Sequence, residues 1–130
     1  FATKFASVKL SELAVGIGPF VVGPAVERKA GLSGMSAMAI NATQFFDAEW
    51  AREKGIYTDV FGSVEDMDEA ILTLATKLSK SNPDAMKELK NIFWSGTENW
   101  DELLVKRAAI SGTLVLSEFT KNAINRFKAK

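Results

Sequence analysis

Only two segments of this chain, Phe5–Leu10 and Ile56–Phe61, suit a β-strand, whereas about six suit a helix. In Phe5–Leu10 the apolar Phe5, Val8 and Leu10 alternate with small or polar residues, the pattern of a half-buried strand. Two strands do not make a self-sufficient sheet, because an isolated pair is marginal in water. The expected fold is therefore mainly α with two short strands.

The helical stretches carry their own punctuation. Pro24–Lys29 suits a short helix with proline in its first turn. Gly31-Leu32-Ser33 breaks it, and Ser33 is placed to cap a helix over Met35–Asn41. Thr43–Lys54 follows as a helical stretch ended by Gly55. Ser63 with Asp66 resembles a capping box. Behind it, Met67, Ile71, Leu72, Leu74, Ala75 and Leu78 recur at helical spacing up to Ser79. Asn82 and Pro83 supply a cap and a first helical residue; Met86, Leu89, Ile92 and Phe93 form the apolar side, and Gly96 the stop. Thr97 is the expected cap of the next helix, with Trp100, Leu103, Leu104, Ala108 and Ile110 apolar and a break at Ser111-Gly112-Thr113. Ser117 caps a last helix in which Phe119, Ala123, Ile124 and Phe127 share a face. Such broad apolar faces must be buried, either within this chain or against something else.

Composition removes several classes of function. Sixteen basic residues balance sixteen acidic ones, so no general attraction to nucleic acid is expected. Neither cysteine nor histidine occurs, which excludes Ser-His-Asp and Cys-His catalysis within the chain. Acid–base chemistry falls to carboxylates, lysines or Tyr57. The most apolar stretch, Ala14–Val26, is broken by glycines and prolines before Glu27, short of the ~18 apolar residues of a membrane span. Phe1–Leu10 lacks the apolar core of a signal peptide. A soluble, cytoplasmic protein with no membrane partner is the expectation.

The segment richest in chemical meaning is Glu12-Leu13-Ala14-Val15-Gly16-Ile17-Gly18-Pro19-Phe20-Val21-Val22-Gly23. A carboxylate leads through a short apolar stretch into a turn where glycines permit close backbone approach and Pro19 stiffens the path. About thirty-five residues on comes Asp47-Ala48-Glu49-Trp50-Ala51-Arg52-Glu53-Lys54-Gly55-Ile56-Tyr57-Thr58-Asp59-Val60-Phe61. Together these blocks resemble the enoyl-CoA hydratase/isomerase (crotonase) family. The first is similar to its P-E-x-x-x-G-x-x-P-x-x-x-G segment, with Ser11 in place of the proline; the second is similar to its S-A-E-E-A-x-x-x-G-L-V segment.

The resemblance implies the C-terminal portion of a crotonase-like α/β fold, since the matching motifs belong to that family's second half. Residues 1–62 would be the end of the core and residues 63–130 the helical oligomerisation region. Nothing here resembles the N-terminal half, with its A-G-A-D-[IL]-type and G-G-G segments that supply the oxyanion hole. An N-terminal half is therefore an expected partner, and this chain alone is expected to be inactive.

By the same resemblance, Glu12 is the catalytic acid, handling protons at the acyl chain of a CoA thioester. Pro19 and Phe20 line the substrate site, as does Phe127; Lys130 approaches the CoA phosphates. Hydration of 2-enoyl-CoA is the first expectation. Double-bond isomerisation and a non-catalytic helical oligomerisation module are the alternatives, with an accidental likeness as a third. The coenzyme A thioester enters as substrate, with no separate cofactor and no metal. Homo-trimers or hexamers are the expected assembly. Two departures stand out. Phe5 to Glu12 is about three residues longer than the family's F-G-x-P-E, so a gapless match from Phe5 would put Lys9 at the acid. Phe20-Val21-Val22 replaces a frequent Gly-Ala-Gly, which should narrow or reshape the acyl pocket.

Other groups have simpler readings. Asp47/Glu49 and Glu65/Asp66/Asp68/Glu69 suit helix first turns better than a hard cation. Lys77, Lys80, Lys87 and Lys90 read as a solvated strip, and Trp50, Trp94 and Trp100 as packing residues. Arg107 and Arg126 are candidates for salt bridges at an interface.

Overall fold

The computed structural model describes residues 1–128. Two minimal sheets and six helices follow in the order β1 (Ala2–Thr3), β2 (Ser7–Val8), a 3₁₀ turn (Glu12–Val15), α1 (Gly23–Ile40), β3 (Phe46–Asp47), α2 (Ala48–Glu53), β4 (Val60–Phe61), α3 (Val64–Ser79), α4 (Pro83–Phe93), α5 (Trp100–Val115) and α6 (Glu118–Lys128). β1 runs parallel to β4, with Ala2 opposite Val60 and Thr3 opposite Phe61. β2 runs antiparallel to β3, with Ser7 opposite Asp47 and Val8 opposite Phe46.

The expected first strand is corrected by this pairing. Phe5–Leu10 is not one strand: the Ala6 N–H bonds the Thr3 carbonyl in a turn that leaves Phe5 exposed, and pairing resumes only at Ser7. The second shrinks to Val60–Phe61, because the Ile56 and Tyr57 N–H groups go to the Ala51 carbonyl at the end of α2. The helix expected from Thr43 starts at Ala48. Asp47 is extended and its carboxylate accepts the Trp50 N–H at 2.8 Å, while Phe46 and Asp47 pair with β2.

Helix α1 joins two expected helices across a kink. Gly31, at φ 69° and ψ 167°, adopts a conformation closed to residues with a side chain, and helix resumes at once, so Ser33 lies inside α1 rather than at a cap. Arg28, in the first limb, donates to the Phe93 and Ser95 carbonyls. Those groups lie at the end of α4, where a helix's negative pole favours a cation. Two further expectations fail for local reasons. α5 runs unbroken through Ser111-Gly112-Thr113, because the Ser111 and Thr113 hydroxyls bond the Arg107 and Ala109 carbonyls one turn back. Its cap position is Asn99, whereas the Thr97 hydroxyl donates to the Trp94 carbonyl.

The remaining caps match the reading. Ser63 Oγ accepts the Asp66 N–H and donates to its carboxylate. Asn82 accepts from Asp84 and Ala85, and Ser117 from Thr120. The tryptophans pack on aromatic neighbours: Trp50 on Phe46 at 4.2 Å between centroids, and Trp94 edge-on to Trp100 at 5.9 Å.

What core there is lies beneath α1 and α2 and at α6: Ala2, Ala30, Met38, Ala42, Phe46, Ala48, Ala51, Thr120 and Ala123. Most are alanines, and none of α3, α4 or α5 has a buried residue. Ile71, Leu72, Leu74 and Leu78 of α3, Leu89, Ile92 and Phe93 of α4, and Val105 and Ile110 of α5 stay exposed. The chain presents 9032 Å² of surface, against about 6,800 Å² for a compact monomer of its 14.2 kDa mass. In the conformation described, these helices therefore build no self-contained core, and their apolar faces lie open. Among the described residues, no helix is long and apolar enough to cross a membrane.

Candidate active site

Glu12 opens the 3₁₀ turn, and its backbone is locked there. Its carbonyl accepts the Ile17 N–H at 3.0 Å, and the Gly16 N–H closes on the Leu13 carbonyl. Its side chain is the anomaly: Oε2 is buried and, among the described residues, meets no hydrogen-bond donor. Buried carboxylate oxygens ordinarily have partners, since desolvating one without compensation is costly.

Two clefts adjoin this stretch of chain. One of about 480 Å³ is lined by Lys9, Ser11, Ala14, Val15 and Thr43. The other, of about 380 Å³, has Val8, Leu10, Ala25, Val26, Met38 and Ile56 as apolar wall, with Lys9 and Lys29 beside them. Lys9, the rival for the acid's place, stands with its ammonium 4.5 Å from the centre of the Phe45 ring.

Past Gly16 the chain turns sharply. Pro19 is buried, the Phe20 ring folds back over Gly18, and the Phe20 N–H bonds the Gly18 carbonyl at 2.8 Å. The Gly23 N–H then bonds the Pro19 carbonyl, and α1 begins. Glu12 thus lies in the 3₁₀ turn, while Pro19 and Phe20 lie farther along the same connection, at a second turn that leads into α1. Phe127 lies in α6, with its side chain outside what is described, and Lys130 lies outside the described residues.

Two contacts from the far end of the sequence complete the turn, and the residue pattern did not reveal them. α6 packs on the 3₁₀ turn so closely that a Cβ on Gly16 would lie 2.5 Å from Phe119 Cδ1 and 2.7 Å from the fully buried Thr120 Oγ1. Arg107 of α5 donates to the Phe20 carbonyl at 3.3 Å. Among the described residues Arg107 forms no salt bridge within the chain, and Arg126 donates to the Asn122 carbonyl within its own helix. Asp47 caps α2, Glu49 pairs with Arg52 at 2.8 Å, and Asp66 pairs with Ser63. Among the described residues no group of three or more carboxylates is gathered to hold a metal.

The chain belongs to the enoyl-CoA hydratase/isomerase family, whose model matches residues 1–127. An accidental likeness is thereby excluded. No curated protein matches the sequence. Among solved structures, it is similar to an enoyl-CoA hydratase/isomerase from Pseudoalteromonas atlantica, with TM-score 0.84 and 19% identity over 98% of this chain and 51% of that one. A provisionally named enoyl-CoA hydratase/isomerase from Acinetobacter baumannii gives 0.77 and 19% over 92% and 50%. A provisionally named enoyl-CoA hydratase from Streptomyces avermitilis gives 0.75 and 17% over 92% and 43%. The chain spans about half the length of these structures. Its fold is part of the crotonase fold, consistent with the C-terminal portion.

Proposed function

We propose that this chain is the C-terminal portion of an acyl-CoA enzyme and that Glu12 moves protons at the acyl chain. The observation that carries the reading is the buried Oε2 of Glu12, which meets no donor among the described residues, at the head of a glycine turn in a chain of this family. In hydration, the oxygen of water bonds the β-carbon and a proton is delivered to the α-carbon, while the thioester oxygen passes through an enolate. Backbone donors from an N-terminal half hold that enolate, so this chain alone is inactive. Isomerisation needs only a proton moved between carbons, which one carboxylate serves equally well. Pro19 and Phe20 border the acyl chain, as does Phe127 in α6, and Lys130 approaches the CoA phosphates. The thioester is substrate, and no separate cofactor is required. The exposed faces of α3 to α5 join copies into a trimer or hexamer.

The test is Glu12→Gln in the full-length enzyme, assayed with 2-enoyl and 3-enoyl thioesters. Turnover should fall by roughly 10²- to 10⁴-fold, the usual contribution of a positioned acid–base group, with the fold intact. Near-normal turnover would sink the assignment. Which of the two thioesters is consumed, and whether the product carries a hydroxyl, separates hydration from isomerisation.

A further inference from the structure

We propose that Arg107 is a positioning residue, which by gripping the Phe20 carbonyl fixes the Phe20–Gly23 turn and with it the width of the acyl pocket. The inference rests on the active-site reading above. Two observations support it. The Arg107 guanidinium donates to the Phe20 carbonyl across 87 residues of sequence, and the contact is partly buried. The same Nη1 lies 3.2 Å from where a Cβ on Gly23 would stand, so the absence of a side chain there leaves room for the guanidinium.

The chemistry of the group fits a clamp. Guanidinium stays charged at any working pH and spreads five donors over a rigid plane. Hydrogen bonds from charged donors are stronger than neutral ones. Among the described residues no carboxylate satisfies Arg107 in a salt bridge. It also lines a cleft of about 440 Å³ with Pro24, Glu27, Arg28 and Trp100. Its grip falls on the residue whose bulk departs most from the family's glycine. Phe20 has its ring folded over Gly18 and its carbonyl held by α5. Both ends of the turn after Glu12 are thus set from the C-terminal helices, Gly16 by α6 and Phe20 by α5. Releasing the second end should loosen the backbone that carries the ring while leaving Glu12 in place.

The experiment uses the full-length enzyme with Arg107→Met, which keeps an apolar stem and removes the donors, and Arg107→Lys, which keeps one charged donor. The expected result for Arg107→Met is a fall in kcat of roughly tenfold to a hundredfold, the scale of a small misplacement. The KM for the thioester should stay within about twofold, and the relative rates on short and long acyl chains should change. Arg107→Lys should recover part of the loss. In a Phe20→Ala background, Arg107→Met should no longer alter chain-length preference, because the ring it positions is gone. Unchanged kcat and chain preference in Arg107→Met, with Glu12→Gln inactive, would overturn the inference alone. So would an effect on chain preference that persists undiminished without Phe20, or loss of folding in Arg107→Lys, which would mark a purely structural role. An active Glu12→Gln would instead overturn the reading beneath it.

Discussion

Replacing Gly16 with alanine tests the contact that joins the candidate acid to the C-terminal helix. Gly16 sits at φ 85° and ψ 14°, a left-handed conformation that costs an L-residue roughly 1–2 kcal/mol. The added methyl would also stand 2.5 Å from Phe119 Cδ1 and 2.7 Å from Thr120 Oγ1. Phe119 is 61% exposed and can swing aside. Thr120 cannot: it is 0% exposed, and its Oγ1 is held by the Ser117 hydroxyl at 3.2 Å. Overpacking against such a fixed group costs about 1–3 kcal/mol, which brings the total to about 2–5 kcal/mol. Denaturant unfolding of the full-length protein measures it, and amide hydrogen exchange along α6 shows where the damage lies. Gly16→Ala should lose that stability and speed exchange in α6. Adding Thr120→Ala, which removes the obstructing hydroxyl, should cost less than the sum of the two single changes. A Gly16→Ala protein within about 0.5 kcal/mol of the parent, or strictly additive changes, would refute the reasoning.

Gly31→Ala offers a contrast, because nothing among the described residues lies within 4 Å of the position its Cβ would take. Only the backbone resists, so a loss of about 1–3 kcal/mol is expected, and an unchanged unfolding midpoint would disprove the need for glycine there. Glu98 is held below the ordinary 4.5 by hydrogen bonds from its own backbone and from the Gly96 N–H. A depressed carboxyl stabilises the folded state fully above its unfolded value, and that contribution fades as pH falls through the folded one. An NMR titration should therefore find Glu98 titrating below 4.5, and a midpoint at or above that value would count against the geometry. Leu74→Glu with Leu78→Glu charges the exposed side of α3. Light scattering should then report a smaller assembly with helical circular dichroism retained; an unchanged mass would mean that this face meets no other copy.

The helices that were legible in the residues are those whose ends are set by nearest neighbours. α3 and α4 begin at Ser63 and Asn82 because a side-chain oxygen takes up N–H groups two or three residues on. Such signals act over a single turn and survive in any context. The strands were misread for the opposite reason. Val8 and Phe46 are paired only because their two segments meet in space, and that meeting withdrew Phe46 and Asp47 from the helix their composition favours. Hydroxyls hid a similar ambiguity: Ser111 and Thr113 can break a helix or bond back into it, and here they bond back.

At the site, sequence alone sufficed for the order of Glu12, the glycine turn and Pro19, since chain neighbours cannot be far apart. It also sufficed for the excess of apolar helical surface, because periodicity fixes which residues share a face whatever they later meet. Tertiary structure decided that Glu12 Oε2 is buried without a donor among the described residues, that Thr120 closes on Gly16 and that Arg107 reaches Phe20. Each of these depends on a separation of a few ångströms between groups far apart along the chain. No residue pattern encodes such a distance; it arises only when α5 and α6 fold back and the space left by glycine is occupied by another helix.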